Sequence, residues 1–141
     1  MGLIVFDTSA FVGLLDRTDP VHPAASEAFS RLGAQRRRFA ASVITWSELG
    51  VGARLGYFPL RSIDGLFREA GIELLDVGRV IADRAAILRA GYIKKNKRSD
   101  LRLPDALILA SAESRPEGST VVTADRQWAR VPGLEVELVL L

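Results

Sequence analysis

Residues 3–7 read Leu-Ile-Val-Phe-Asp, four apolar side chains in a row stopped by a carboxylate. Successive side chains of a strand face opposite sides of a sheet, so an unbroken apolar run needs cover on both faces. That is the pattern of a buried parallel strand, and the rest of the chain supplies the cover. Residues 8–16 continue as a helix with Phe11, Leu14 and Leu15 on one side. DRTDPVHP (16–23) is a loop. His22 to Leu32 is helical, with Ala25, Ala28, Phe29 and Leu32 at i, i+3, i+4 and i+7. Phe39 to Val43 is a second strand, followed by helices over Thr45–Leu55 and Leu60–Ala70, separated by Gly56 and Pro59. Ile72 to Leu75 is a third strand and Val80 to Tyr92 a helix, and the polar stretch Lys94 to Asp100 is exposed. Pro104 opens a helix running to Glu113, as its fixed φ allows. Ser119–Val122 is a strand, Arg126–Arg130 a short helix and Glu135–Val139 the last strand. Strands alternating with helices imply an α/β domain with a parallel sheet covered on both faces, spanning residues 1–141 as one unit.

Composition narrows the chemistry. The chain of 141 residues has no cysteine and one histidine, His22. Thiol nucleophiles, disulfides, iron–sulfur sites and paired catalytic histidines are excluded. Carboxylates and hydroxyls, with a hard metal ion, are the remaining tools. There are 19 basic residues against 17 acidic ones, a net charge of +2 that permits a nucleic-acid partner without arguing for one. The apolar start has no basic segment before it and is interrupted by Asp7, so it does not read as a signal peptide. No apolar stretch reaches the ~20 residues of a membrane span. A soluble, cytoplasmic protein is expected, and the lack of cysteine agrees.

Four carboxylates fall at comparable places. Asp7 follows the first strand, Glu48 lies in the first turn of the helix after the second, Asp105 in the first turn of the helix opened by Pro104, and Asp125 follows the fourth strand. The strand C-termini of a parallel sheet share one edge, where ligands bind, so the four can converge. Each also has a local explanation. Asp7 and Asp125 suit helix N-caps, Thr45-Trp46-Ser47-Glu48 matches a capping box, and Asp105 complements a helix dipole. Capping and metal binding are compatible. Clustered carboxylates repel unless a cation joins them, and Mg²⁺ or Mn²⁺ suits an all-oxygen set.

The residues at these four places resemble PIN-domain nucleases, and among them the VapC-type toxins of bacterial toxin–antitoxin pairs. The likeness runs nearly end to end, through VFDTSAFVGLLDRTDPVH, SVITWSELGVG, LRLPDALILASA and VVTADRQWARVPGLEV, each block carrying its acid in the family's order. Trp128 stands where the family commonly has another aromatic, and Leu109 where alanine is common. The resemblance implies a three-layer α/β/α domain around a five-stranded parallel sheet. It implies an Mg²⁺- or Mn²⁺-dependent endoribonuclease, a small antitoxin as partner, and a homodimer. On that reading Asp7 and Asp105 are the main metal ligands, Glu48 and Asp125 complete the acidic cluster, and Ser9 and Thr123 orient carboxylates.

Other residues are weighed against plainer roles. Thr8 reads as ordinary turn chemistry, and His22, between Pro20 and Pro23, as a surface or capping histidine. Arg36-Arg37-Arg38 and the cluster Lys94, Lys95, Lys97, Arg98 and Arg102 are candidates for RNA backbone contacts, though charge runs are commonly solvated faces. The second cluster is preferred because it leads into the helix bearing Asp105. Trp46, Phe58 and Trp128 read as core or partner-groove residues. Two alternatives remain open: an enzyme using Asp7 as an aspartyl nucleophile, and a non-catalytic module whose acidic pocket receives a basic partner. The first usually carries a second aspartate two residues later, where this chain has Ser9.

Overall fold

A computed structural model describes residues 2–141. Five strands form one parallel sheet: β1 (Leu3–Phe6), β2 (Phe39–Ser42), β3 (Glu73–Leu75), β4 (Ser119–Thr123) and β5 (Glu137–Leu140). Their spatial order is β3-β2-β1-β4-β5, so the opening apolar run is the central strand. The helices are α1 (Thr8–Leu15), α2 (His22–Gly33), α3 (Val43–Arg54), α4 (Leu60–Glu69), α5 (Arg79–Asn96) and α6 (Leu103–Glu113). A 3₁₀ turn over Arg126–Arg130 joins β4 to β5. No helix is long and apolar enough to cross a membrane among the described residues.

The alternation of β1 side chains divides the core in two. Leu3 and Val5 pack with residues of α5 and α6, among them Leu88, Tyr92, Ile108 and Leu109. Ile4 and Phe6 pack on the opposite face with Phe11 of α1, Ala28 and Leu32 of α2, Leu49 of α3 and Phe67 of α4. Phe6 alone meets three rings, those of Phe11, Phe29 and Phe39, with centroids 5.5–5.9 Å away. The three layers follow from handedness. From β1 to β2 to β3 the chain steps one way along the sheet; from β3 to β4 it steps back. Right-handed crossovers therefore put α1–α4 on one face and α5–α6 on the other. The reversal falls between β1 and β4, whose C-terminal ends flank a crevice.

Several boundaries differ from the sequence reading. α3 starts at Val43, two residues early, because the Ser42 hydroxyl accepts from the Ile44 N–H and caps the helix there. α5 runs on to Asn96, with Lys94 and Lys95 in its last turn where basic side chains complement the helix dipole. Lys97 ends it in the left-handed conformation. β5 begins at Glu137 rather than Glu135. The basic run 36–38 sits at the strand N-termini, opposite the crevice. The Arg37 guanidinium donates to the carbonyls of Gly2 and Leu3 and to the Thr120 hydroxyl. Arg38 pairs with Glu73 and Glu117. This run is a clasp on the sheet edge, not part of the crevice. Arg37→Gln leaves those acceptors without their charged donor, and the unfolding free energy from urea titration is expected to fall by about 1–3 kcal/mol.

Candidate functional site

Asp7 is placed by the end of β1 and the start of α1. It is 3% exposed. Its Oδ1 accepts from the Ala10 N–H and the Ser9 hydroxyl, each at 2.8 Å, and caps α1. Its Oδ2 accepts from the Thr123 hydroxyl at the end of β4, at 2.6 Å. Thr123 in turn accepts from the Asp125 N–H, and Ser9 from the Ala124 N–H. These bonds tie β1, α1 and the turn after β4 into one unit. Asp125 caps the following 3₁₀ turn through the Gln127 N–H.

The side chains of Asp7, Glu48, Asp105 and Asp125 line one cavity of about 240 Å³, with Thr8, Ser9, Arg102, Ile108 and Trp128 completing its walls. Trp128 is almost fully buried, and its indole N–H meets no acceptor. Asp105, in the first turn of α6, lies 3.6 Å from the Arg102 guanidinium. Glu48 departs from the capping-box reading. With α3 starting at Val43 it lies in the second turn, and Oε1 accepts from the Thr8 hydroxyl at 2.6 Å. Thr8, read as turn chemistry, therefore orients an acid 40 residues away. The only sequence signal was its place beside Asp7.

The electrostatics are those of crowded acids. Burial pushes the Asp7 carboxyl up to about 6 despite its hydrogen bonds to Thr123, Ala10 and Ser9, and Asp105 raises it further. Asp105 is raised as well, chiefly by burial; Arg102 draws it back, while Asp125 and Glu48 push it up. The donor set is all hard oxygen, which suits Mg²⁺ or Mn²⁺. Among the described residues, however, no three acidic or histidine side chains are grouped closely enough to hold one ion together. The set fits an ion that keeps several of its waters, rather than a dry carboxylate cage.

The remaining candidates lie around or away from this cavity. Arg102 lines it; Arg98 pairs with Asp100, and Lys94, Lys95 and Lys97 are not among its walls. The His22 ring is bound elsewhere, its Nδ1 2.7 Å from the Gly13 carbonyl at the packing of α1 on α2. Trp46 stacks edge-on with Phe67, and Phe58 is buried in the same core. Two larger cavities of about 430 Å³ flank the acidic one. One, against α5, shares Arg102 with it; the other, against α3, shares Thr8 and Glu48.

The PIN-domain family profile matches residues 4–134. Comparison with curated proteins returned no match. Among solved structures, a DNA-bound VapBC from Salmonella typhimurium is similar at 27% identity, 98% of each chain covered and a TM-score of 0.70. A toxin–antitoxin complex from Klebsiella pneumoniae is similar at 28% identity, with 96% of this chain and 95% of that one covered and a TM-score of 0.68. A VapBC2 structure from Rickettsia felis, at 18% identity, 98% coverage of both chains and a TM-score of 0.74, shares the fold.

The Asp7 shift has a definite sign. Its folded value, about 6, exceeds its ordinary 3.8. A proton on Asp7 thus stabilises the fold fully below pH ~4, and that stability is lost as pH rises through ~6. With metal chelated, the wild type is expected to lose roughly 2 kcal/mol relative to Asp7→Asn between pH 4 and 7. Asparagine keeps the cap but has no charge to bury. Urea titrations of both proteins across that range measure the difference, and parallel curves contradict it.

Proposed function

The chain belongs to the PIN-domain family, whose members generally use divalent metals, and from that premise we propose a metal-dependent endoribonuclease toxin of the VapC type. One observation carries this reading: four acids from four separate elements border one cavity at the C-terminal edge of the sheet. The full-length similarity to chains of the Salmonella and Klebsiella toxin–antitoxin structures supports the toxin assignment. A cognate antitoxin, an RNA substrate, a homodimeric state and a cytoplasmic site of action follow from the same reading.

Asp7 and Asp105 hold the divalent ion, Mg²⁺ or Mn²⁺, directly or through its waters. When bound, that ion supplies Lewis-acid polarisation of a phosphate and a more acidic water. The protein residues do the rest. Ser9 and Thr123 fix both oxygens of Asp7, so the carboxylate needs no reorganisation. Thr8 holds Oε1 of Glu48, which leaves Oε2 to orient the attacking water and accept its proton. Asp125, held by its cap to the turn after β4, completes the acidic wall. Arg102, beside Asp105, offers the RNA backbone a positive charge at the rim. An aspartyl-nucleophile route fits less well, because both Asp7 oxygens already accept hydrogen bonds in a buried position.

Asp7→Asn is expected to abolish Mn²⁺-dependent cleavage of RNA, with an unchanged circular dichroism spectrum. Cleavage at the wild-type rate would rule out this site. Mn²⁺ is also expected to raise the Tm of the wild type and not that of Asp7→Asn, since an ion that binds only the folded state stabilises it. Mapping cut sites on total RNA with the purified protein identifies the substrate.

A further inference from the structure

The partly buried arginines of this fold are matched, with one exception. Arg84 makes two bonds to Glu113 and one to the Gly133 carbonyl. Arg37 makes three hydrogen bonds at the sheet edge, and Arg115 pairs with Glu73. Arg89, in the middle of α5, takes part in none of the ion pairs among the described residues. Its Nε–H is buried and meets no acceptor. A guanidinium is always charged, and one buried unmatched donor is costly where an aliphatic side chain would pack freely.

Arg89 and Arg102 line the same cavity of about 430 Å³ against α5, and the small side chains of Ala86 and Ala90 leave the room. No carboxylate is among its walls. Arg102 also lines the acidic cavity, so the two hollows adjoin and share that side chain as a wall. A strand with its scissile phosphate against the carboxylates must continue into a neighbouring hollow. The hollow on the α3 side carries Glu48 and apolar walls; the one on the α5 side carries the two guanidinium groups.

We propose that this hollow is a phosphate subsite, in which Arg89 and Arg102 receive the RNA backbone phosphate next to the scissile one. The subsite rests on the ribonuclease reading above. The guanidinium of Arg89 turns toward the diester, and the unmatched donor gains an anionic acceptor. The wall shared with the acidic cavity favours an RNA strand over an acidic protein segment as occupant. Arg89 is a positioning residue, since it acts on the strand and not on the reacting atoms.

The test uses the full chain with Mn²⁺ and an oligoribonucleotide that the wild type cuts. Arg89→Gln is expected to raise KM about tenfold, the loss of one charge-assisted hydrogen bond, with kcat within about twofold. The slope of log affinity against log salt falls by about one, and Arg89→Lys recovers most of the slope. In the wild type, an uncharged methylphosphonate at one phosphate flanking the cut costs at least as much; in Arg89→Gln, where only Arg102 remains, it costs less than in the wild type. A folded Arg89→Gln with unchanged KM and salt slope overturns the subsite, as do additive losses. So does a variant that binds RNA normally but loses an acidic protein partner. If Arg89→Gln does not fold, the methylphosphonate scan on the wild type decides: no loss at either flanking phosphate overturns the proposal. A wild type that cuts no RNA overturns the ribonuclease reading and the subsite together, whereas a cutting wild type with an unaffected variant overturns the subsite alone.

Discussion

A carboxylate at the end of the central strand is the constraint around which the rest of the crevice is arranged. Asp7 leaves β1 at the point where the chain reverses its direction across the sheet, and it is buried there. A buried charge must be matched or neutralised. The fold matches it with a hydroxyl from β4, a hydroxyl and an amide from α1, and still leaves it short, as its raised pKa shows. The same three donors join β1, α1 and the turn after β4. Anchoring the acid and anchoring the crevice are therefore one set of bonds.

Charge is sorted around that point. With four of the 17 acids and one of the 19 bases, Arg102, lining one cavity, the rest of the chain carries 13 acids against 18 bases. The near-neutral total thus conceals an acidic hollow in a basic surface. The two flanking hollows differ in kind. One carries guanidinium groups, while the other is bordered by Val12, Val51, Leu55, Tyr57 and Phe58. Val51, Leu55 and Tyr57 are exposed, an apolar stretch running from Glu48 along α3.

Much of this was legible in the chain. The apolar run at 3–6, the alternation of strand and helix, and the four acids at element boundaries are local patterns, and the observed elements follow them closely. The errors came from choices between competing local signals. Thr45 read as the helix cap and Ser42 as part of the strand, yet the Ser42 hydroxyl caps α3, which moves Glu48 out of the first turn. The helical pattern ends at Tyr92 and the stretch from Lys94 reads only as polar and exposed, yet Lys94 and Lys95 continue α5 with the dipole in their favour. The two basic runs look alike on the page, but one binds carbonyls at the strand N-termini and the other leads into the crevice.

The sequence by itself determined the class of fold, the exclusion of thiol and paired-histidine chemistry, and the identity of the acids. These depend on residue type and short-range periodicity, which the chain displays directly. Only the tertiary structure decided that Thr8 orients Glu48, that Thr123 binds Asp7 and that Arg89 stands unmatched beside Arg102. Those relations join residues tens of positions apart or depend on what fails to reach a buried atom. Strand pairing and helix packing create them, and no spacing along the chain encodes such a distance.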